Sequence, residues 1–244
     1  MSIPRSNITV GFLIFPGITQ LDMTGPFEVL SRMQNARPLL IGKDRSPVSD
    51  RGLILTPTHD FLLTESLDIL VVPGGPGVDE AMLDQATVKF VREKAEEARY
   101  VLGICTGSLL LAAAGLLIGR RAGGHWQARD LLARFGVDVS NERTTIDGKY
   151  FTAGGVTAGI DMALRVIAEI EGEDAAMRVQ LQIEYAPEPL FAAGTPYEAP
   201  AHIVDSLLSM HRARRQSRET AVEKACESLL DGKTAPSLCD KHAT

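Results

Sequence analysis

"YVLGICTGSLLLAAAGLL", residues 100–117, changes character at a single point. Tyr100–Ile104 is a short apolar run with the texture of a buried strand. From Gly107 onward the chain is almost all Leu and Ala, which are good helix formers. Cys105 stands at the junction, with Gly103 and Gly107 two residues to either side. G-x-C-x-G is the thiol form of the nucleophile elbow. In that turn a strand bends abruptly into a helix, the central residue takes a strained backbone conformation, and its side chain projects outward. A helix N-terminus favours an anion, so the position is expected to lower the thiol pKa. The amide of Thr106 can then donate to a developing negative charge. The plainer alternative is a buried structural cysteine; the paired glycines favour a reactive one.

The segments around this elbow set the fold class. "NITVGFLIF" (7–15) and "LDILVVPGG" (67–75) read as buried strands, each stopped by Pro and Gly. "RPLLIGK" (37–43) and "GLILTP" (52–57) are shorter strand candidates. "RTTIDGKYFTAGG" (143–155) reads as a hairpin around Asp147-Gly148. Helical patterns lie at 24–33, where Thr24 can cap and Pro26 suits the first turn, and at 86–98 and 125–136. Two more follow in "GIDMALRVIAEIEG" and "DAAMRVQLQIEY". Strands alternating with helices of this length imply parallel strands joined by crossovers, an α/β sandwich with a parallel sheet. After Tyr185 the chain becomes rich in Pro, Ala and Gly. Residues from His202 onward then suggest one long amphipathic helix and a frayed tail. The expected division is a catalytic domain over 1–200 and a helical extension over 201–244 that is not an independent domain.

Composition narrows the function. The 244 residues carry a net charge of −6 with no basic block, which argues against nucleic acid and membrane surfaces as partners. No signal-peptide pattern opens the chain, and no uncharged apolar run is long enough to span a bilayer. The three cysteines, Cys105, Cys226 and Cys239, are widely spaced and form no C-x-x-C pair. Neither a zinc site nor a disulfide framework is expected. A reduced, cytoplasmic protein fits this pattern.

Four further positions bear on chemistry. Gly74 and Gly75 end a strand that should lie beside the Cys105 strand, at the sheet end where open α/β proteins bind ligands. A glycine amide there is a candidate second anion-stabilising donor; the alternative is a tight turn. Asp22, in "GITQLDMTGP" after the first strand, is either an acid/base group that reaches the thiol or a helix cap. His125 is either a base paired with the thiol or a satisfied polar residue. Cys226, Cys239 and the remaining histidines have no such context. The arginines at 212, 214, 215 and 218 read as a solvated helix face.

As a set, "GFLIFPGITQLDMTGPFEVL", "LDILVVPGGPG", "YVLGICTGSLLLAAAGLLIGRRA", "HW" and "TAGGVTAGIDMAL" resemble the ThiJ/PfpI superfamily over roughly residues 7–200. The resemblance implies a flavodoxin-like sheet of the class-one glutamine-amidotransferase type. Within the superfamily, the C-T-G-S elbow, the aspartate in L-D-x-T-G-P and the segment "RVQLQIEYAPEPLFAAGTP" are similar to the branch that hydrates isocyanides to N-substituted formamides. By that resemblance Cys105 attacks the isocyanide carbon to give a thioimidate. Asp22 handles the water or the proton, and the amides of Gly75 and Thr106 face the developing charge. A homodimer acting on a small isocyanide, without cofactor, is likewise implied. The chain departs from the superfamily at "RAGGHW", where many relatives read R-A-T-T-H-W. Glyoxalase- or deglycase-like chemistry and redox sensing use the same thiol and are the alternatives. A regulator of the AraC type would need paired helix-turn-helix units that the residues after 200 do not suggest.

Overall fold

The computed structural model describes residues 7–234. The chain runs β1 (Ile8–Leu13), α1 (Gln20–Leu30), β2 (Ala36–Gly42), β3 (Val48–Asp50), β4 (Leu53–Leu55), β5 (His59–Asp60) and β6 (Ile69–Val72). It continues with α2 (Val78–Leu83), α3 (Gln85–Glu97), β7 (Tyr100–Ile104), α4 (Gly107–Ala113), β8 (Arg121–Ala122) and a 3-10 helix (Arg129–Phe135). Then follow β9 (Asp138–Val139), β10 (Thr144–Asp147), β11 (Tyr150–Ala153), α5 (Ala158–Glu171), α6 (Glu173–Gln182), α7 (Ala201–Met210) and α8 (Arg212–Thr234). Among the described residues no helix is long and apolar enough to cross a membrane.

Seven strands form one sheet in the order β10-β11-β7-β6-β1-β2-β5. All its pairings are parallel except β10 with β11, the expected hairpin, which turns at Gly148 with φ 59°. The α/β sandwich read from the sequence is the observed architecture. Central strands β6 and β7 bury nearly every side chain, as strands covered on both faces must. Two groups of helices flank the sheet: α1 packs on α5 and α5 on α6, while α2, α3, α4 and α8 pack together. Phe12 and Phe151 lie wholly inside, and Phe12 meets Phe27 of α1 with ring centroids 5.1 Å apart. Register places Val72 opposite Gly103 and Ala153 opposite Ile104, so β6, β7 and β11 end at one level.

Four local readings differ from this fold. The strand expected at 52–57 exists as β4, but it pairs only with β3 in a separate hairpin. The helix expected from His125 is a 3-10 turn that ends at Gly136, φ 74°. α1 starts at Gln20, so Pro26 lies inside it and Thr24 does not cap; the Thr24 hydroxyl donates to Gln20 Oε1. The first-turn amide of Gln20 donates instead to Asp50 Oδ2, at 2.9 Å, a partner 30 residues away. The single late helix is two, α7 and α8, interrupted at His211.

At the elbow, the glycine requirement is steric. A Cβ on Gly107 would collide with the backbone carbonyls of Val72 and Pro73, which cannot move without breaking the sheet end. Gly107→Ala is expected to cost more than about 3 kcal/mol, the upper range for overpacking, because the opposing atoms are backbone. Urea denaturation checks this; wild-type stability would mean that the turn relaxes.

Candidate active site

Cys105 has φ 58°, the strained left-handed conformation expected of an elbow. Its amide donates to Ala153 O at 3.0 Å and its carbonyl accepts from His125 N at 3.1 Å, so neighbouring segments hold the strain in place. Cys105 is 7% exposed. It hydrogen-bonds with the Asp22 carboxyl and receives the Thr106 amide.

Asp22 is wholly buried in the first turn of α1, and it caps nothing. Its Oδ2 accepts the Gly74 amide at 3.0 Å. Its Oδ1 has no hydrogen-bond partner among the described residues. Burial pushes the Asp22 pKa up to about 7; the bonds from Cys105 and Gly74 pull the other way, and Asp50 adds to the rise.

The thiol departs from the expectation of a lowered pKa. Burial, then the Asp22 carboxylate, push it up, against the Thr106 amide and the Arg218 guanidinium. A helix end stabilises an anion by a fraction of what desolvation costs at a site this enclosed. The resting pair is therefore a thiol donating to a carboxylate, and the thiolate arises by proton transfer to Asp22.

The glycine loop is built differently from the expected oxyanion hole. Gly75 N donates to Thr106 Oγ1 at 2.9 Å, and the Thr106 hydroxyl donates back to Gly75 O at 3.2 Å. Both glycine amides are thus engaged, Gly74 on Asp22 and Gly75 on Thr106. Among the described residues the amide that donates to the sulfur is that of Thr106. Gly75 has φ 138°, and a Cβ there would lie 2.5 Å from Thr19 N.

His125 comes close through its backbone. Its ring Nδ1 accepts the Gln127 amide at 3.3 Å, and among the described residues no hydrogen bond joins the ring to the thiol. Burial, followed by the Arg218, His211 and Arg129 charges, lowers its pKa to about 4, so the ring is neutral. Gly123 and Gly124 lie tight against this segment: a Cβ on Gly124 would sit 2.9 Å from Cys105 O. The nearby buried hydroxyls of Ser108 and Thr145 have no hydrogen-bond partner among the described residues.

The arginine run is a solvated face only in part: Arg212 and Arg214 are exposed, but Arg215 and Arg218 are not. Arg215 donates to both carboxylate oxygens of Asp130. Arg218 is 7% exposed, pairs with Asp79 at 2.6 Å and donates to Gly75 O at 3.3 Å. A signal was present: Arg218, Ala221, Val222 and Ala225 follow helical spacing and are all buried. Cys226 is half-buried, with its sulfur on Arg134 O; Cys239 and His242 lie outside the described residues. A cavity of about 1010 Å³ opens beside the site, lined by Phe15, Gly17, Phe61, Pro76, Gly77 and Asp79 among others, but neither Cys105 nor Asp22 lines it.

The strained cysteine at the end of a parallel strand, beside a buried carboxylate, agrees with the sequence comparison. The DJ-1/PfpI family pattern matches residues 8–169. The chain belongs to the DJ-1/PfpI family. Within this family it is 45% identical to the isonitrile hydratase of Pseudomonas putida over 223 residues, covering 91% of this chain and 98% of that one. A solved ThiJ/PfpI family protein from Pseudomonas syringae superposes with a TM-score of 0.86 at 34% identity, covering 89% of this chain and 91% of that one. The transcriptional regulator GbdR of Pseudomonas aeruginosa is 28% identical over 74% of this chain, which spans 52% of the regulator.

Asp22 should mark the pH dependence of stability. Its folded pKa, about 7, lies well above the 3.8 of an ordinary aspartate. Its contribution is therefore full below about pH 4 and is lost as pH rises through 7. Asp22→Asn is expected to gain on wild type between pH 4 and 8, by a few kcal/mol at the upper end. Melting temperatures across that range test it; a constant difference would show an ordinary carboxylate.

Proposed function

We propose that Cys105 and Asp22 hydrate isocyanides to N-substituted formamides. The observation that carries this reading is the buried thiol–carboxyl pair, set in a chain 45% identical to an isonitrile hydratase over 91% of its length. An isocyanide carbon accepts both a nucleophile and a proton, and the pair supplies both from one shared proton.

The steps balance as follows. Asp22 takes the thiol proton as Sγ bonds to the terminal carbon, and returns it to that carbon, giving the thioimidate R–N=CH–S–Cys105. Water then adds at the same carbon. Asp22 accepts one water proton and passes it to nitrogen. Collapse of the adduct breaks the C–S bond, the remaining hydroxyl proton returns to sulfur, and R–NH–CHO leaves. The unpartnered Oδ1 is the oxygen free to hold that water. The Thr106 amide steadies the sulfur, while Gly74, Gly75 and the Thr106 hydroxyl hold the carboxylate and the elbow in register. His125, neutral and tied through Nδ1, supports a packing role and leaves Asp22 as the proton carrier.

Two other readings use the same thiol. Deglycase-like chemistry and redox sensing both favour a stable, accessible thiolate, and a raised thiol pKa disfavours both. For a regulator, the similarity to GbdR spans only half of that protein.

The wider setting follows the same reading. A catalytic domain over 1–200 with an extension over 201–244 is supported, within the described residues, by the packing of α8 on α2, α4 and the 3-10 helix. A homodimer is supported by apolar side chains exposed on the late segment, including Leu190, Phe191, Tyr197, Ile203 and Met210; α7 buries none of its residues. A cytoplasmic location suits a free catalytic thiol.

Formamide production from alkyl and aryl isocyanides, followed spectroscopically beside methylglyoxal, tests the activity. Cys105→Ala is expected to lose at least about 10³-fold and Asp22→Asn about 10²–10⁴-fold. Cys226→Ser should retain the wild-type rate. Because the carboxylate must accept the thiol proton, kcat/KM should rise with pH through a midpoint near 7. Turnover of methylglyoxal alone, or a near-normal Asp22→Asn, would return the site to the other readings.

A further inference from the structure

The glycine loop that holds Asp22 and Thr106 has no side chains of its own to fix it. Gly74 and Gly75 lie between β6 and α2, and Gly75 adopts a conformation that only glycine accepts readily. Such a hinge stays in one place only if something outside it binds its peptide groups. Its amides are held by Asp22 and Thr106, the residues it is meant to position. From beyond the catalytic cluster its carbonyls are held at two points: Gly74 O accepts the Thr19 amide at 2.9 Å, and Gly75 O accepts the guanidinium of Arg218.

Arg218 lies on α8, outside the span matched by the family pattern. It enters the molecule from the side. Nε donates to Asp79 Oδ1 at 2.6 Å, and Nη2 reaches Gly75 O at 3.3 Å. Arg218 and Asp79 are 7% and 9% exposed, so the charge is barely screened by water. Its packing on α2 is secured by Ala221, Val222 and Ala225 on the same stripe of α8. The charged and titratable groups around it are Asp79 and Glu80 of α2, Arg214 of its own helix, His125, and the Cys105–Asp22 pair.

We propose that Arg218 is a positioning residue for the Cys105–Asp22 pair. From the C-terminal helix it clamps the Gly75 carbonyl, and with it the loop that orients Asp22 and Thr106. It also places a fixed positive charge within reach of the sulfur. Asp79 holds the guanidinium in the orientation that reaches the loop. The clamp makes α8 a part of the active site at one remove. Its field opposes burial at Cys105, favouring the thiolate when the proton passes to Asp22, and it helps keep His125 neutral. The effect on turnover rests on the isocyanide reading above; the effect on the thiol does not.

The test must separate clamping from folding, because removing Arg218 alone strands a buried carboxylate. The double variant Arg218→Met/Asp79→Leu replaces the pair with apolar side chains of similar size, an exchange that buried pairs commonly tolerate. Three quantities are read: thermal melting, steady-state formamide production, and the pH midpoint for alkylation of Cys105 by iodoacetamide. The double variant is expected to melt near the wild-type temperature. Its kcat should fall roughly 10–100-fold, as for a displaced supporting group, with KM within about twofold. Its alkylation midpoint should rise, because the cation that favours the thiolate is gone.

Arg218→Lys keeps the charge and the Asp79 partner, and should restore the midpoint to near the wild-type value. A double variant that folds with unchanged kcat and unchanged midpoint would overturn the proposal, and so would an Arg218→Lys midpoint as high as that of the double variant. If the double variant does not fold, Arg218→Gln, which retains a donor for Asp79, takes its place, and an unchanged midpoint there overturns the proposal equally. Should wild-type protein make no formamide from any isocyanide, the activity reading fails while the alkylation midpoints still decide the role of Arg218.

Discussion

Everything at the active end of the sheet depends on one close approach, that of the Gly107 backbone to the carbonyls ending β6. Because no side chain intervenes, α4 starts immediately beside the β6 terminus. Cys105 is then forced over the top of the turn into a left-handed conformation. The strain is local, but its restraint is distributed: Ala153 O holds the cysteine amide from β11, and His125 N holds its carbonyl. An unfavourable backbone conformation persists because strands and loops on both sides have already satisfied its polar groups. The elbow is therefore a property of three aligned strand ends rather than of its own five residues.

The second constraint is electrostatic. A carboxyl group with no exposure and a thiol with little share a compartment in which neither charge is welcome. One mobile proton between them is the least costly arrangement, and it also places acid and nucleophile in contact. The polar groups surrounding this pair are few and assigned: one glycine amide to the carboxylate, another to a hydroxyl, a helix-start amide to the sulfur, and a guanidinium at the loop carbonyl. In so dry a setting each has a larger effect than it would in water.

Much of this was legible in the primary structure, where local pattern and local cause coincide. The strands flanking the elbow, the turn at Gly148 and the cysteine itself announce themselves through apolar runs and glycine placement. So does the proximity of Asp22, Gly74 and Gly75, which all follow strands at one end of a parallel sheet. Features whose cause is remote were not legible. The start of α1 is set by Asp50, 30 residues on, so the conspicuous Thr24-Gly25-Pro26 misplaces the boundary. The sulfur's proton affinity depends on enclosure, which no spacing reveals, so the helix end alone suggests the wrong direction. Arg218 looks like one more cation in a basic run until its stripe of small apolar neighbours is recognised as a buried face.

The low exposure of Cys105 has a further consequence. Thiol–disulfide exchange and oxidation both need the sulfur to be reached from outside, so a cysteine this enclosed is a poor target for bulky oxidants and for the disulfides of other proteins.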